Sequence, residues 1–206
     1  VVIERYQVIQ FVTSDGVRES DALKRFVEIL SREKIVPQSI TRGDLIRVGS
    51  IEQQNKLQFE VLWPQDAVEQ NVAIFSNSID ETERKQILEA SAKRGDLNER
   101  SVVLHLLEGQ TSVLLTGDTG FQTEKSLLAM GGLSSIDILK VGHHGSKYAS
   151  SEEFLQKLQP KTAVISAGAN NRYGHPTKEV LERLRIVGAT THRTDIEGDV
   201  VIELRR

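Results

Sequence analysis

Cysteine is absent from this chain of 206 residues. That excludes disulfide bonds and thiolate metal ligands, so a bound cation would have to sit on His, Asp or Glu, a donor set that suits Zn²⁺ or Mn²⁺. No apolar run approaches the roughly twenty residues that span a bilayer, and no signal-peptide pattern is present, so the chain itself is not expected to insert into a membrane. An excess of positive charge is lacking too. With 26 basic against 29 acidic residues the net charge is -3, which excludes a broad cationic surface for gripping nucleic acid and leaves room only for a local basic rim. No internal repeat or low-complexity tract is visible. The first residue is Val1 rather than Met, and the chain is expected to be a piece of something longer.

The residues that are there alternate between strand and helix patterns, as in a layered α/β domain of one unit spanning 1–206. Val1 to Tyr6 reads as a helix end, Gln7 to Val12 as a strand, and Ser20 to Lys34 as an amphipathic helix capped by Ser20. Strands follow at Gln38 to Val48, broken at Gly43, and at Leu57 to Trp63, ended by Pro64. The polar stretch 65–100 reads as a surface insertion with a helix from Glu81 to Lys93. A hairpin, Ser101 to Leu107 with Thr111 to Leu115, comes next. Helices at Thr123 to Met130, Ser150 to Leu158 and Thr177 to Val187 then separate strands at Ile136 to Val141 and Thr162 to Ala167. A last hairpin, Thr190 to Arg193 with Asp199 to Leu204, closes the chain.

Two of these strands stop at residues able to hold a metal. Leu114-Leu-Thr-Gly-Asp118 ends in a carboxylate, although a Gly-Asp pair also serves as an ordinary turn. Lys140-Val-Gly-His-His-Gly-Ser146 delivers two of the chain's five histidines at a strand's carboxyl end, where α/β sheets place their sites. In an extended segment neighbours point to opposite faces, so one of His143 and His144 would ligate and the other would orient it or touch substrate. The loop after the next strand carries Asn170, Asn171, Arg172 and His175. A carboxylate and a histidine can hold a divalent cation that makes hydroxide near neutral pH, and two such cations suit phosphodiester hydrolysis. Ser146 and Lys147 could then bind a phosphate, or Ser146 could simply make a turn. His105 and His192 read as structural.

These runs, together with Ile165-Ser-Ala-Gly-Ala-Asn-Asn-Arg-Tyr-Gly-His-Pro176 and His192-Arg-Thr-Asp-Ile-Glu-Gly-Asp-Val-Val-Ile202, resemble the carboxyl-terminal metallo-β-lactamase-like domain of the ComEC/Rec2 family, the DNA-uptake channel proteins of natural competence. The resemblance implies an α/β fold, an αββα sandwich of two mixed β-sheets flanked by helices, with a two-metal hydrolase site at the sheet edge. It makes Asp118 the metal-bridging carboxylate and His143 the first choice as ligand. His144 and His175 become the catalytic pair, and Ser146, Lys147, Asn170, Asn171 and Arg172 line the substrate side. The implied substrate is DNA, expected as a single strand, or another phosphodiester. The implied setting is the extracytoplasmic face of a bacterial membrane, with channel segments in the parent protein. The family's main ligand run, His-x-His/Asp-x-Asp-His, is missing: the first histidine here is His105. An incomplete amino terminus and an incomplete catalytic set are therefore expected. The other readings are a degenerate domain that only binds DNA or a partner, and a hydrolase of a small phosphoester.

Overall fold

A computed structural model describes residues 8, 10–14, 20–48, 57–65, 82 and 96–204. The expected helix end at Val1 to Tyr6 and, apart from Thr82, the helix at Glu81 to Lys93 lie outside the described residues. Helix α1 (Asp21–Arg32) starts where Ser20 accepts the Leu23 N–H on its hydroxyl, and it buries Val27, Ile29 and Leu30. That face packs on strand β1 (Phe11–Thr13), where the Phe11 and Phe26 rings meet edge to face at 5.2 Å. Strand β1 pairs in parallel with β2 (Pro37–Ser39) to form a two-stranded sheet.

The strand expected from Gln38 to Val48 is divided more sharply than its glycine suggested. Gly43 takes a φ of +92°, and the chain beyond it becomes β3 (Leu45–Val48) of a different, seven-stranded sheet. That sheet runs β3-β4-β5-β6-β7-β8-β9 in chain order. Strands β3, β4 (Leu57–Trp63), β5 (Val103–Glu108) and β6 (Thr111–Leu115) are antiparallel meanders, and Gly109-Gln110 turns the tight β5-β6 hairpin. From β6 onward the pairing is parallel, through β7 (Ile138–Lys140), β8 (Thr162–Ile165) and β9 (Thr190–Arg193).

Parallel neighbours need crossovers, and three helices supply them: α2 (Phe121–Met130), α3 (Glu152–Leu158) and α4 (Lys178–Ile186). Their apolar faces close over the strands in one core that includes Leu114, Leu139, Ala163, Phe154, Leu158 and Leu184. A large mixed sheet flanked by helices, with a second, two-stranded sheet, matches the expected α/β class.

The closing hairpin does not form. β9 pairs in parallel with β8, and the chain then turns into a short helix, α5 (Thr194–Glu197), while residues 199–204 make no strand. Local polar bonds decide this. The Thr194 hydroxyl accepts the Ala167 N–H and donates to the Ala167 carbonyl, both at 2.9 Å. Arg193 grips Asp195 in a forked pair, and Glu197 takes both the Arg193 N–H and the His192 ring. These bonds curl the segment that alternation alone would extend.

Phe154 is 1% exposed in the middle of the helix-sheet interface. Phe154→Ala is expected to lower the unfolding free energy by about 3–5 kcal/mol, read as a fall in the urea midpoint at unchanged slope.

Candidate metal centre

Three loops, each leaving the carboxyl end of a parallel-region strand, meet through glycines that no other residue could replace without movement. After β6, Gly117 (φ +57°) lies so close to the 3₁₀ turn at Asn98–Arg100 and its flank that an added Cβ would fall 2.8 Å from Ser101 Cβ. After β7, a Cβ on Gly142 would fall 2.8 Å from the Thr119 carbonyl, and one on Gly145 (φ +81°) 2.6 Å from Pro176 Cβ. Thr116 donates its hydroxyl to the Lys140 carbonyl, and the Gly117 carbonyl accepts the His143 N–H at 3.1 Å. Asp118, the histidine pair and the 168–176 loop are thereby clasped to one another.

Between Gly142 and Gly145 the backbone is not extended. His143 (φ 46°) and His144 (φ 56°) both lie in the left-handed region, which is costly for residues with a Cβ and concentrates at functional sites. The two side chains therefore do not alternate between the faces of an extended strand. The two rings still have separate surroundings. His144 Nδ1 is 2.8 Å from the Ser166 carbonyl. A carbonyl only accepts, so Nδ1 carries the proton and the Nε2 of the neutral ring presents its lone pair. That Nε2 is 3.5 Å from Asp118 Oδ1, with both side chains about half exposed. His143 instead meets His175 edge to face at 5.8 Å, and His175 stacks on Tyr173 at 6.0 Å.

His175 is fixed by Asn171, which accepts its N–H and donates to its carbonyl and to that of Gly168. Burial first, and then the charges of His143 and His144, hold its pKa below the ordinary histidine value. Arg172 lies 5.1 Å over the Tyr173 ring and Lys147 5.0 Å over that of Tyr148. Asn170 is exposed beside them. Ser146 is 4% exposed and its hydroxyl accepts the Tyr148 N–H.

Four supporting residues went unread in the sequence. Lys140 is largely buried next to Asp118; burial pulls its pKa down, and the Asp118 charge pulls it back up. Glu99 caps α2 from 24 residues away, accepting the Thr123 N–H at 2.8 Å where Gly120 has no side chain to offer. Glu124, 2% exposed, accepts the N–H groups of Ser150 and Ser151, while Arg183 donates to the carbonyls of Lys147, Ala149 and Ser150. An acidic residue inside a helix or one arginine among 26 basic residues carries no local signal of such a role.

Two histidines stand apart. His105 bonds the Ser112 hydroxyl at 2.8 Å and His192 bonds Glu197 at 2.9 Å. A cavity of about 180 Å³, lined by Arg42, Glu60, His105 and Met130 among others, includes none of the expected site residues. Asp118 and His144 are residue types that ligate divalent cations, and a carboxylate oxygen here faces an imidazole nitrogen not engaged by the Ser166 carbonyl. Among the described residues no group of three or more His, Asp or Glu is arranged to hold one.

Comparison with known proteins gives this geometry a context. The model of the metallo-beta-lactamase superfamily matches residues 92–169. ComE operon protein 3 of Bacillus subtilis is 30% identical over 200 residues, 97% of this chain and 22% of that protein. Competence protein ComA of Neisseria gonorrhoeae is 40% identical over 115 residues, 55% of this chain and 17% of that protein. Recombination protein 2 of Haemophilus influenzae is 39% identical over 103 residues, 50% of this chain and 13% of that protein. The chain thus spans about a fifth or less of the length of these relatives.

Gly145→Ala combines left-handed backbone with a Cβ collision. It is expected to destabilise by about 2–4 kcal/mol and to shift the His175 ring signals in NMR. In metal-free buffer the His175 signals should titrate below 6.5, and His143→Ala should move the midpoint upward. Because the folded state resists protonation of His175, its contribution to stability is present above that value and is lost as the pH falls through the folded midpoint. Thermal melts across pH 4 to 8 of the parent and His175→Gln test the sign.

Proposed function

We propose that this metallo-β-lactamase superfamily domain, of the kind found in competence proteins of the ComEC/Rec2 family, hydrolyses phosphodiester bonds of DNA at a divalent-metal centre built on Asp118 and His144. The observation that carries the reading is the Asp118–His144 pair. The Ser166 carbonyl fixes the His144 tautomer and turns the Nε2 lone pair toward the carboxylate. Support of this kind behind a ligating imidazole is what metal centres use to orient it. On this reading the two adjacent histidines exchange the roles expected from sequence: His144 ligates, and His143 belongs with His175 on the substrate side.

Bound there, a Zn²⁺ or Mn²⁺ ion would supply a Lewis acid and a water ionised near neutral pH. The protein's own groups do the rest. Asp118 and His144 hold the ion. His175, kept neutral by its low pKa, can take or return a proton at the reacting oxygen. Lys147 and Arg172 offer cations to the phosphate, and Asn171 fixes the loop that carries His175. Ser146 braces the turn beneath them.

Two side-chain donors make a weak site. The family's His-x-His/Asp-x-Asp-His run is not in this sequence, so turnover is proposed for protein in which that run accompanies these residues, two metals completing the site. In the parent we place the domain beside membrane channel segments on the extracytoplasmic face. Among the described residues no helix is long and apolar enough to cross a membrane. A second reading is a domain that holds DNA without cutting it.

Nuclease assays on protein extended to include the ligand run, with Mn²⁺ or Zn²⁺, separate the two. Asp118→Ala and His144→Ala should each lower cleavage by at least about a hundredfold, as loss of a metal ligand does. Calorimetric titration of the 206-residue chain should show weak Mn²⁺ binding that both variants remove and His143→Ala retains. Cleavage unchanged in Asp118→Ala would sink the site, and no cleavage by any extended protein would favour the binding module.

A further inference from the structure

Aromatic residues make up only 5% of the chain, yet three are exposed among the described residues: Phe121 at 39%, Tyr148 at 62% and Tyr173 at 67%. All three sit on the loops or helix starts that follow β6, β7 and β8, the same connections that carry Asp118, the histidine pair and His175. Each has a cation over its ring, Arg183 at 5.5 Å, Lys147 at 5.0 Å and Arg172 at 5.1 Å. The Phe121 N–H donates to the Tyr148 carbonyl at 2.9 Å, which joins the first two loops. On the other flank Arg172, Tyr173, His175 and His143 form a run of ring contacts that leads from solvent to the site.

Water-exposed aromatic area is unfavourable unless something covers it, and scattered placement would need no explanation. Placement only at the site end, each ring with its own cation, does need one. A ring beside a cation matches one repeating chemistry, a flat π-face followed by a phosphate, which is the repeat of a polynucleotide. A duplex offers its phosphates but keeps its base faces stacked inside; an unpaired strand offers both.

From this we infer that Tyr148 and Tyr173 form two stacking platforms for the bases of an unpaired polynucleotide strand, with Lys147 and Arg172 meeting its phosphates, so that strand and phosphodiester pass over the Asp118–His144 pair between them. The tyrosines are positioning residues that select an unpaired strand, and the inference rests on the phosphodiester reading for the reason a strand should come there.

Its test needs no turnover. In EDTA, fluorescence anisotropy of the 206-residue chain is measured with a labelled oligothymidylate of about twelve nucleotides, with a strand of equal charge made of abasic units, and with a duplex of the same length. The oligothymidylate should bind about tenfold tighter than the abasic strand and the duplex. Tyr148→Ala and Tyr173→Ala should each remove about tenfold from that affinity and leave abasic binding unchanged, while Tyr148→Phe and Tyr173→Phe keep it. Both sites are exposed, and equal melting temperatures confirm folding. Equal affinity for thymidylate and abasic strands, unchanged affinity in the alanine variants, or no binding of any strand overturns the platforms. Cleavage by metal-loaded extended protein is scored separately: cleavage without base preference defeats the platforms alone, and base-dependent binding without cleavage defeats the hydrolytic reading alone.

Discussion

Glu124 and Arg183 grip one loop from two helices, and the site depends on that grip. The carboxylate of α2 takes the amide hydrogens of Ser150 and Ser151, and the guanidinium from α4 takes three carbonyls from Lys147 to Ser150. Both charges are spent on backbone groups that would otherwise end unpaired at a crowded turn. Burial works against the Glu124 charge and pushes its pKa up, while the two N–H bonds and Arg183 oppose that shift. The loop so fixed is the continuation of the histidine turn, so a buried polar network rather than apolar packing sets where His143 and His144 stand.

The same economy of contact appears where the loops touch. Gly117, Gly142 and Gly145 each face a neighbouring loop at a distance that leaves no room for a Cβ. His143 and His144 adopt left-handed backbone that this close fit imposes. Held so, His144 has one nitrogen committed to a carbonyl and the other turned to Asp118, with Lys140 largely buried nearby. A carboxylate, an imidazole and an ammonium group thus share a small volume at the mouth of a parallel sheet. Strand ends of this kind are where α/β sheets place ligands.

Much of this was legible along the chain. Strand ends at Asp118 and His143, a capped helix at Ser20 and the β5-β6 hairpin follow from apolar alternation, capping chemistry and turn residues, all local signals. The convergence of Asp118, the histidine pair and the 168–176 loop was also readable, because successive parallel strands deliver their loops to one edge. Readings failed where a nonlocal or side-chain bond outweighed pattern. Thr194 and Glu197 curl a segment whose alternation looked like a strand, and Gly43 separates two strands into different sheets. Extended geometry at His143-His144 was a fair default that the loop contacts override.

By itself the sequence determined that the domain is a layered α/β sandwich and which residue types could meet a metal, since periodicity and donor chemistry are properties of the chain's order. It also determined that these 206 residues contribute no thiolate ligand. Only the tertiary structure decided which nitrogen of which histidine faces Asp118, and that Glu99, Glu124, Lys140 and Arg183 brace the site. It alone gathered the exposed aromatics at the site end of the sheet. Those relations join residues more than twenty positions apart, and their geometry exists only once the strands are paired and the helices packed across them.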